Sequence, residues 1–168
     1  MDFVFIDKKT ELEIGCGEGA LVGGVNTTKQ LYDAKFKMPK VLRDMIIKLV
    51  SRSPALKKDL HVCGFYVAET DLQLFILDCP STYVTRLDAM KEMHYPKSEG
   101  QIHRQLSAVL RNIIGLRIIM ENTVYALDHD TTDITIGRDN DEAMIPCFIP
   151  SSPEKKKRKF SVATSINS

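Results

Sequence analysis

Glu13-Ile14-Gly15-Cys16-Gly17-Glu18-Gly19-Ala20-Leu21-Val22 is the stretch on which the reading of the fold turns. It reads as a glycine loop that closes a strand, with the shape of a phosphate cradle. A cradle of the form G-x-x-x-x-G-K-[ST] needs backbone amides around the phosphates, a Lys to neutralise charge and a hydroxyl to hold Mg²⁺. With Gly15 as the first glycine, Ala20, Leu21 and Val22 fall where the last glycine, the Lys and the Ser or Thr belong. Leu21 offers no positive charge and Val22 no oxygen, so the expectation is a chain that does not hydrolyse a nucleotide triphosphate.

Composition sets the outer limits. The 168 residues are 43% hydrophobic and 27% charged, which suits one domain with an ordinary core. A net charge of +1 provides no global basic field, so nucleic-acid contact has to come from a local cluster. No apolar run reaches the roughly 18 residues that span a bilayer, and no signal pattern opens the chain, which predicts an intracellular protein. Cys16, Cys63, Cys79 and Cys147 contain no C-x-x-C pair. Neither a zinc site nor a disulfide framework is expected, and His61, His94, His103 and His129 add no metal spacing.

Residues 3–6 and 12–15 read as short strands around Asp7-Lys8-Lys9-Thr10. Val41, Leu42, Met45, Ile46 and Leu49 follow helical periodicity between Pro39 and Ser53-Pro54. Residues 60–68 and 72–77 are rich in β-branched and aromatic side chains. The second, Leu-Gln-Leu-Phe-Ile-Leu, is apolar enough for burial on both faces, as in a parallel sheet. A helix is predicted over 101–116, followed by strands at 116–120 and 124–127. Alternating helices and apolar strands predict an α/β fold. Residues 1–150 form the expected core, and 151–168 a disordered basic tail that cannot build a core.

Asp78 ends the apolar run Leu74-Phe75-Ile76-Leu77, where nucleotide-binding proteins place a carboxylate that orients Mg²⁺. An Asp before Cys79-Pro80 also caps a turn. The order of pieces is glycine loop, helix, strand ending in Asp78, basic connection, helix from Gln101-Ile102-His103-Arg104, and a strand running into Glu121-Asn122-Thr123. In that order the chain resembles the RecA-like eukaryotic recombinases and their paralogues over residues 11 to 127. The resemblance implies a truncated RecA-like fold, a mostly parallel sheet flanked by helices, with a degenerate nucleotide site at Gly15, Gly17, Gly19 and Asp78. It implies a small accessory protein without catalysis of its own, working in homologous recombination repair. Such a chain pairs with a nucleotide-competent paralogue that holds the ATP, docks through its sheet edge and glycine region, and binds or remodels recombinase filaments on single-stranded DNA. Departures from the family are the replaced Lys and Thr, the short segment before Asp78 and a missing N-terminal DNA-binding domain. Phe65-Tyr66-Val67-Ala68 matches the family's Phe-x-x-Ala linking element, but it falls inside a predicted strand and reads as coincidence.

By the same analogy DNA contact falls in residues 83–100, where Arg86, Lys91 and Lys97 alternate with Tyr83 and Tyr95, with Arg104 opening the next helix. Basic groups neutralise phosphates and aromatic faces stack bases. Asp88, Glu92 and Glu99 dilute that charge, which leaves a solvated surface as the other reading. The run Lys155-Lys156-Lys157-Arg158-Lys159 reads as a nuclear localisation signal or a nucleic-acid patch, with the nucleus as the expected location. Glu13-Ile-Gly-Cys-Gly-Glu-Gly also looks like the first motif of S-adenosylmethionine-dependent methyltransferases, whose cofactor approaches the backbone at glycines. That enzyme class, or an unrelated nuclear interaction domain, is the alternative reading.

Overall fold

The computed structural model describes residues 1–20, 28–81 and 84–130. Its centre is a six-stranded mixed sheet with the path β1-β2-β3-β4-β5, and β6 also pairs with β4. The strands are β1 (Phe3–Ile6), β2 (Glu13–Ala20), β3 (His61–Ala68), β4 (Asp71–Ser81), β5 (Val84–Ala89) and β6 (Met93–His94). A short helix α1 (Thr28–Tyr32) passes through a π-helical turn (Asp33–Lys37) into α2 (Met38–Arg52). A second π-helical turn (Ile102–Leu106) leads into the long α3 (Ser107–Asp128).

The α/β class holds, but the mostly parallel sheet does not. Among the described strands β2 and β3 run parallel, whereas β1–β2, β3–β4, β4–β5 and β4–β6 are antiparallel. Chain economy explains the difference. Only the β2-to-β3 connection is long enough to hold a crossover helix, while β3 turns directly into β4 at Glu69, whose φ of 53° lies in the left-handed region. The turn from β1 to β2 is also local. Asp7 accepts the Thr10 amide at 2.9 Å and its hydroxyl at 2.5 Å, and the Asp7 amide donates to the Leu12 carbonyl.

Helices cover both faces. Met38, Leu42, Met45, Ile46 and Leu49 of α2 pack on Cys16, Val62, Tyr66, Phe75 and Leu77. On the opposite face Val109 and Leu116 of α3 pack with Cys63, Leu72 and Leu74. Each such side chain, fully buried, contributes about 1.5–3 kcal/mol. β4 is therefore buried on both faces, as expected from its sequence, yet β3, β5 and β6 all pair with it antiparallel. Burial on two faces reports coverage by helices and does not reveal strand direction.

The strands expected at 116–120 and 124–127 are the second half of α3. Gly115 does not stop the helix: a Cβ there would meet nothing within 4 Å, and the turn runs through it. Val109, Leu116 and Thr123, spaced by seven, form the buried line of α3. Thr123 fixes that line to the sheet, since its Oγ1 accepts the His61 amide at 3.1 Å and donates to the His61 carbonyl at 2.9 Å.

The glycine loop is likewise a correction: Gly15, Gly17 and Gly19 lie within β2, paired with Cys63, Phe65 and Val67 of β3. Their role is space. A Cβ on Gly17 would sit 2.1 Å from the Phe65 ring, which lies across the glycine, and one on Gly15 would sit 2.6 Å from the Cys63 carbonyl oxygen. Phe3 and Phe5 then close over Phe65 with ring centroids 5.7 and 6.0 Å away. A Gly17→Ala substitution forces that ring aside and is expected to cost about 1–3 kcal/mol, the usual range for overpacking. Denaturant unfolding checks this. An unchanged midpoint would show that Phe65 does not pack on Gly17.

Candidate functional site

With the glycines in a strand, their backbone groups serve the sheet. The Gly19 amide is turned to a carboxylate, donating to Asp2 Oδ2 at 2.9 Å. These amides do not form an anion cradle, and the same placement removes the turn that a methyltransferase first motif requires. Leu21 and Val22 lie outside the described residues.

Asp78 and Arg86, expected in separate nucleotide and DNA sites, stand opposite each other on β4 and β5. The guanidinium grips the carboxylate with two bonds, Nε to Oδ1 at 3.2 Å and Nη2 to Oδ2 at 2.5 Å. This bidentate pairing neutralises both groups. They line a groove of about 700 Å³ between the sheet and α3, with Asp59, His61, Asp88 and Asn122 also on its walls. Three Asp against one Arg make this groove unfavourable for a phosphate chain. Lys91, Lys97 and Arg104 are exposed and are not part of the groove lining. Tyr83 and the basic run Lys155, Lys156, Lys157, Arg158, Lys159 lie outside the described residues.

The carboxyl ends of the parallel pair carry an ionic cluster that sequence reading missed. Once residues 13–20 are a strand, alternation places Cys16, Glu18 and Ala20 on the α2 face beside Val62, Tyr66 and Ala68. Glu18 is thus 8% exposed, and its partner in register is Tyr66. Lys37, from the π-helical turn before α2, reaches in and donates to Glu18 Oε1 at 2.8 Å. The Met1 amine lies 3.5 Å from Oε2. Asp33 is buried nearby, and the Tyr66 hydroxyl has no hydrogen-bond partner among the described residues. Burial pushes the Tyr66 phenol up, with Asp33 and Glu18 adding to the shift. The hydrogen bond to Glu18 raises the Lys37 ammonium. The available signal was an acidic residue at an inward position of a strand, hidden by the loop reading of its glycines.

Among the described residues no group of three or more His, Cys, Asp or Glu converges to hold a metal, and no helix is long and apolar enough to cross a membrane. What the fold and the site define is an α/β domain with a mixed sheet, a partly buried Glu–Lys pair at the crossover and an apolar sheet edge. No family model, curated protein or solved structure matches the chain.

Removing Lys37 leaves Glu18 buried without its cation. Lys37→Met is expected to destabilise the fold by about 1–3 kcal/mol at neutral pH, less than a fully buried pair because Lys37 is a third exposed. The Lys37 value is raised above 10.5, so its contribution is full below that pH and fades as pH rises through the folded-state value. The gap between wild type and variant should close at high pH. Unfolding curves at neutral and alkaline pH check it, and a gap independent of pH would contradict the pairing.

Proposed function

We propose that the protein is a non-catalytic binding subunit that receives the sheet edge or an extended segment of a partner along β1. The observation that carries this reading is the chemistry of that strand. Phe3, Val4, Phe5 and Ile6 are all apolar and exposed, and among the described residues β1 pairs with β2 alone. A free edge with apolar side chains on both faces is a template for strand addition, in which main-chain bonds give affinity and side-chain pockets give specificity. A depression of about 410 Å³ formed by Asp2, Phe3, Gly19, Ala20, Val67 and Glu69 lies at the same end of the sheet.

For the partner we propose a nucleotide-binding recombinase paralogue, acting with a recombinase filament on single-stranded DNA in the nucleus. What supports this setting is the remaining part of the resemblance, the strand that carries Asp78, the basic connection after it and the helical segment from Gln101, together with a docking edge beside the glycine strand. The glycine stretch itself adds nothing, because it is a strand, and the segment matched to the Asn-containing sensor is helical. DNA contact is assigned chiefly to the partner, with Lys91, Lys97 and Arg104 as this chain's exposed cations. ATP is assigned to the partner as well.

Affinity purification of the full chain from nuclei, beside a Val4→Lys variant, tests both parts. A Lys on this edge strand disfavours strand addition and is expected to weaken recovery by about tenfold, on the order of 1.4 kcal/mol, while the melting curve stays unchanged. Equal recovery by both chains would overturn the edge, and absence of a nucleotide-binding recombinase paralogue would overturn the setting. Titration of the isolated chain with ATP is expected to give no saturable binding, and saturation would contradict the non-catalytic reading.

A further inference from the structure

The outward side of α3 carries a second apolar surface, separate from β1. Leu110, Ile114, Ile118 and Tyr125 recur at i, i+4, i+8 and i+15, on the side away from Val109, Leu116 and Thr123. They are 49%, 56%, 49% and 65% exposed. Arg117 and Glu121 pair with each other at 2.7 Å along this side, which removes their net charge from the stripe. A helix with one apolar line on the sheet and another facing outward has something left to bury.

The chain after α3 supplies an occupant of matching size and charge. Residues 143–150, Ala-Met-Ile-Pro-Cys-Phe-Ile-Pro, are an apolar run between polar stretches. Pro146 and Pro150 oppose a helix, and eight residues in extended form span about 26 Å. From Leu110 to Tyr125 the stripe is about 22 Å long. The connection of residues 130–142 reaches up to about 43 Å, enough to return from the end of α3 to its start. Charge gives the direction. Asp139, Asp141 and Glu142 precede the apolar run, while Arg104 and Arg111 are exposed around the start of α3. The basic residues 155–159 follow the run, and the negative end of the helix dipole lies at the end of α3, where Asp128 is already paired with Lys9 at 2.9 Å.

We infer that residues 143–150 of this same chain dock along Leu110, Ile114, Ile118 and Tyr125, running parallel to α3 with the acidic residues at its start. The docked segment brings the basic run 155–159 to the end of α3, so its accessibility to another protein depends on the stripe. This is independent of the β1 edge and of any partner there.

Cys147 provides the probe. Burial pushes the Cys16 and Cys63 thiols up to about 12, and Cys79 is buried, so these three are poor reactants in the folded chain. In the full-length protein, Ile118→Cys and Ile114→Cys each place a thiol on the stripe, and Ala108→Cys places one on another exposed side of the same helix. After mild oxidation, peptide mapping is expected to find an intramolecular disulfide between Cys147 and position 114 or 118, several-fold above that at position 108. Equal bridging at 108 would overturn the docking, as would no intramolecular bridge at all. Disulfides formed only between two copies at position 118 would overturn it in favour of a second molecule on the stripe.

Discussion

The parallel pairing of β2 with β3 is the constraint on which the rest of the structure depends. Parallel neighbours cannot be joined by a tight turn, so the chain has to leave the sheet, cross one face and return. α2 makes that crossing, and its apolar side is buried by doing so. The opposite face is left for α3, and Thr123 takes the place of a strand partner for His61 where α3 meets the start of β3. The pairing itself rests on missing side chains. Gly15 lets the two backbones approach, and Gly17 leaves a floor for the Phe65 ring, over which Phe3 and Phe5 then close.

The elements legible in the sequence were those whose periodicity is unambiguous. β1 matches residues 3–6, α2 encloses the 41–50 pattern, β3 covers the first apolar run apart from Leu60, and β4 encloses the second. The glycine strand was not legible, because glycine in a loop and glycine beneath a cross-strand aromatic ring leave the same letters. The distinguishing fact is that Phe65 lies opposite Gly17, a contact between residues 48 positions apart that no local window contains. Ile118, Ile119 and Met120 favour strands when read alone, yet they continue a helix whose buried residues recur every seventh position. Of the candidate site, Asp78 and Arg86 were named, but their pairing with each other was not. Glu18 and Lys37 were missed, since neither stands in a motif until β2 is known to be a strand.

Three surfaces of different chemistry result from this arrangement. The β1 edge, which among the described strands pairs with β2 alone, offers backbone and aromatic side chains. The groove beside α3 is acidic and carries an internally neutralised Asp78–Arg86 pair. The outer line of α3 is apolar and as long as an eight-residue extended segment. Two of these surfaces are suited to polypeptide and the third disfavours phosphate, which is why binding to protein, and not nucleotide chemistry, is the function that the geometry supports best.

The central claim, that the glycine stretch is a buried strand and not a phosphate cradle, is tested most directly by amide hydrogen exchange at Gly15, Gly17 and Gly19. Strand hydrogen bonds protect Gly15 and Gly17 to a degree comparable with β3 and β4, the Gly19 amide, held by the exposed Asp2 carboxylate, exchanges faster than these two, and added ATP or S-adenosylmethionine leaves the rates unchanged. Exchange at loop rates, slowed only when a nucleotide or cofactor is added, would contradict the account.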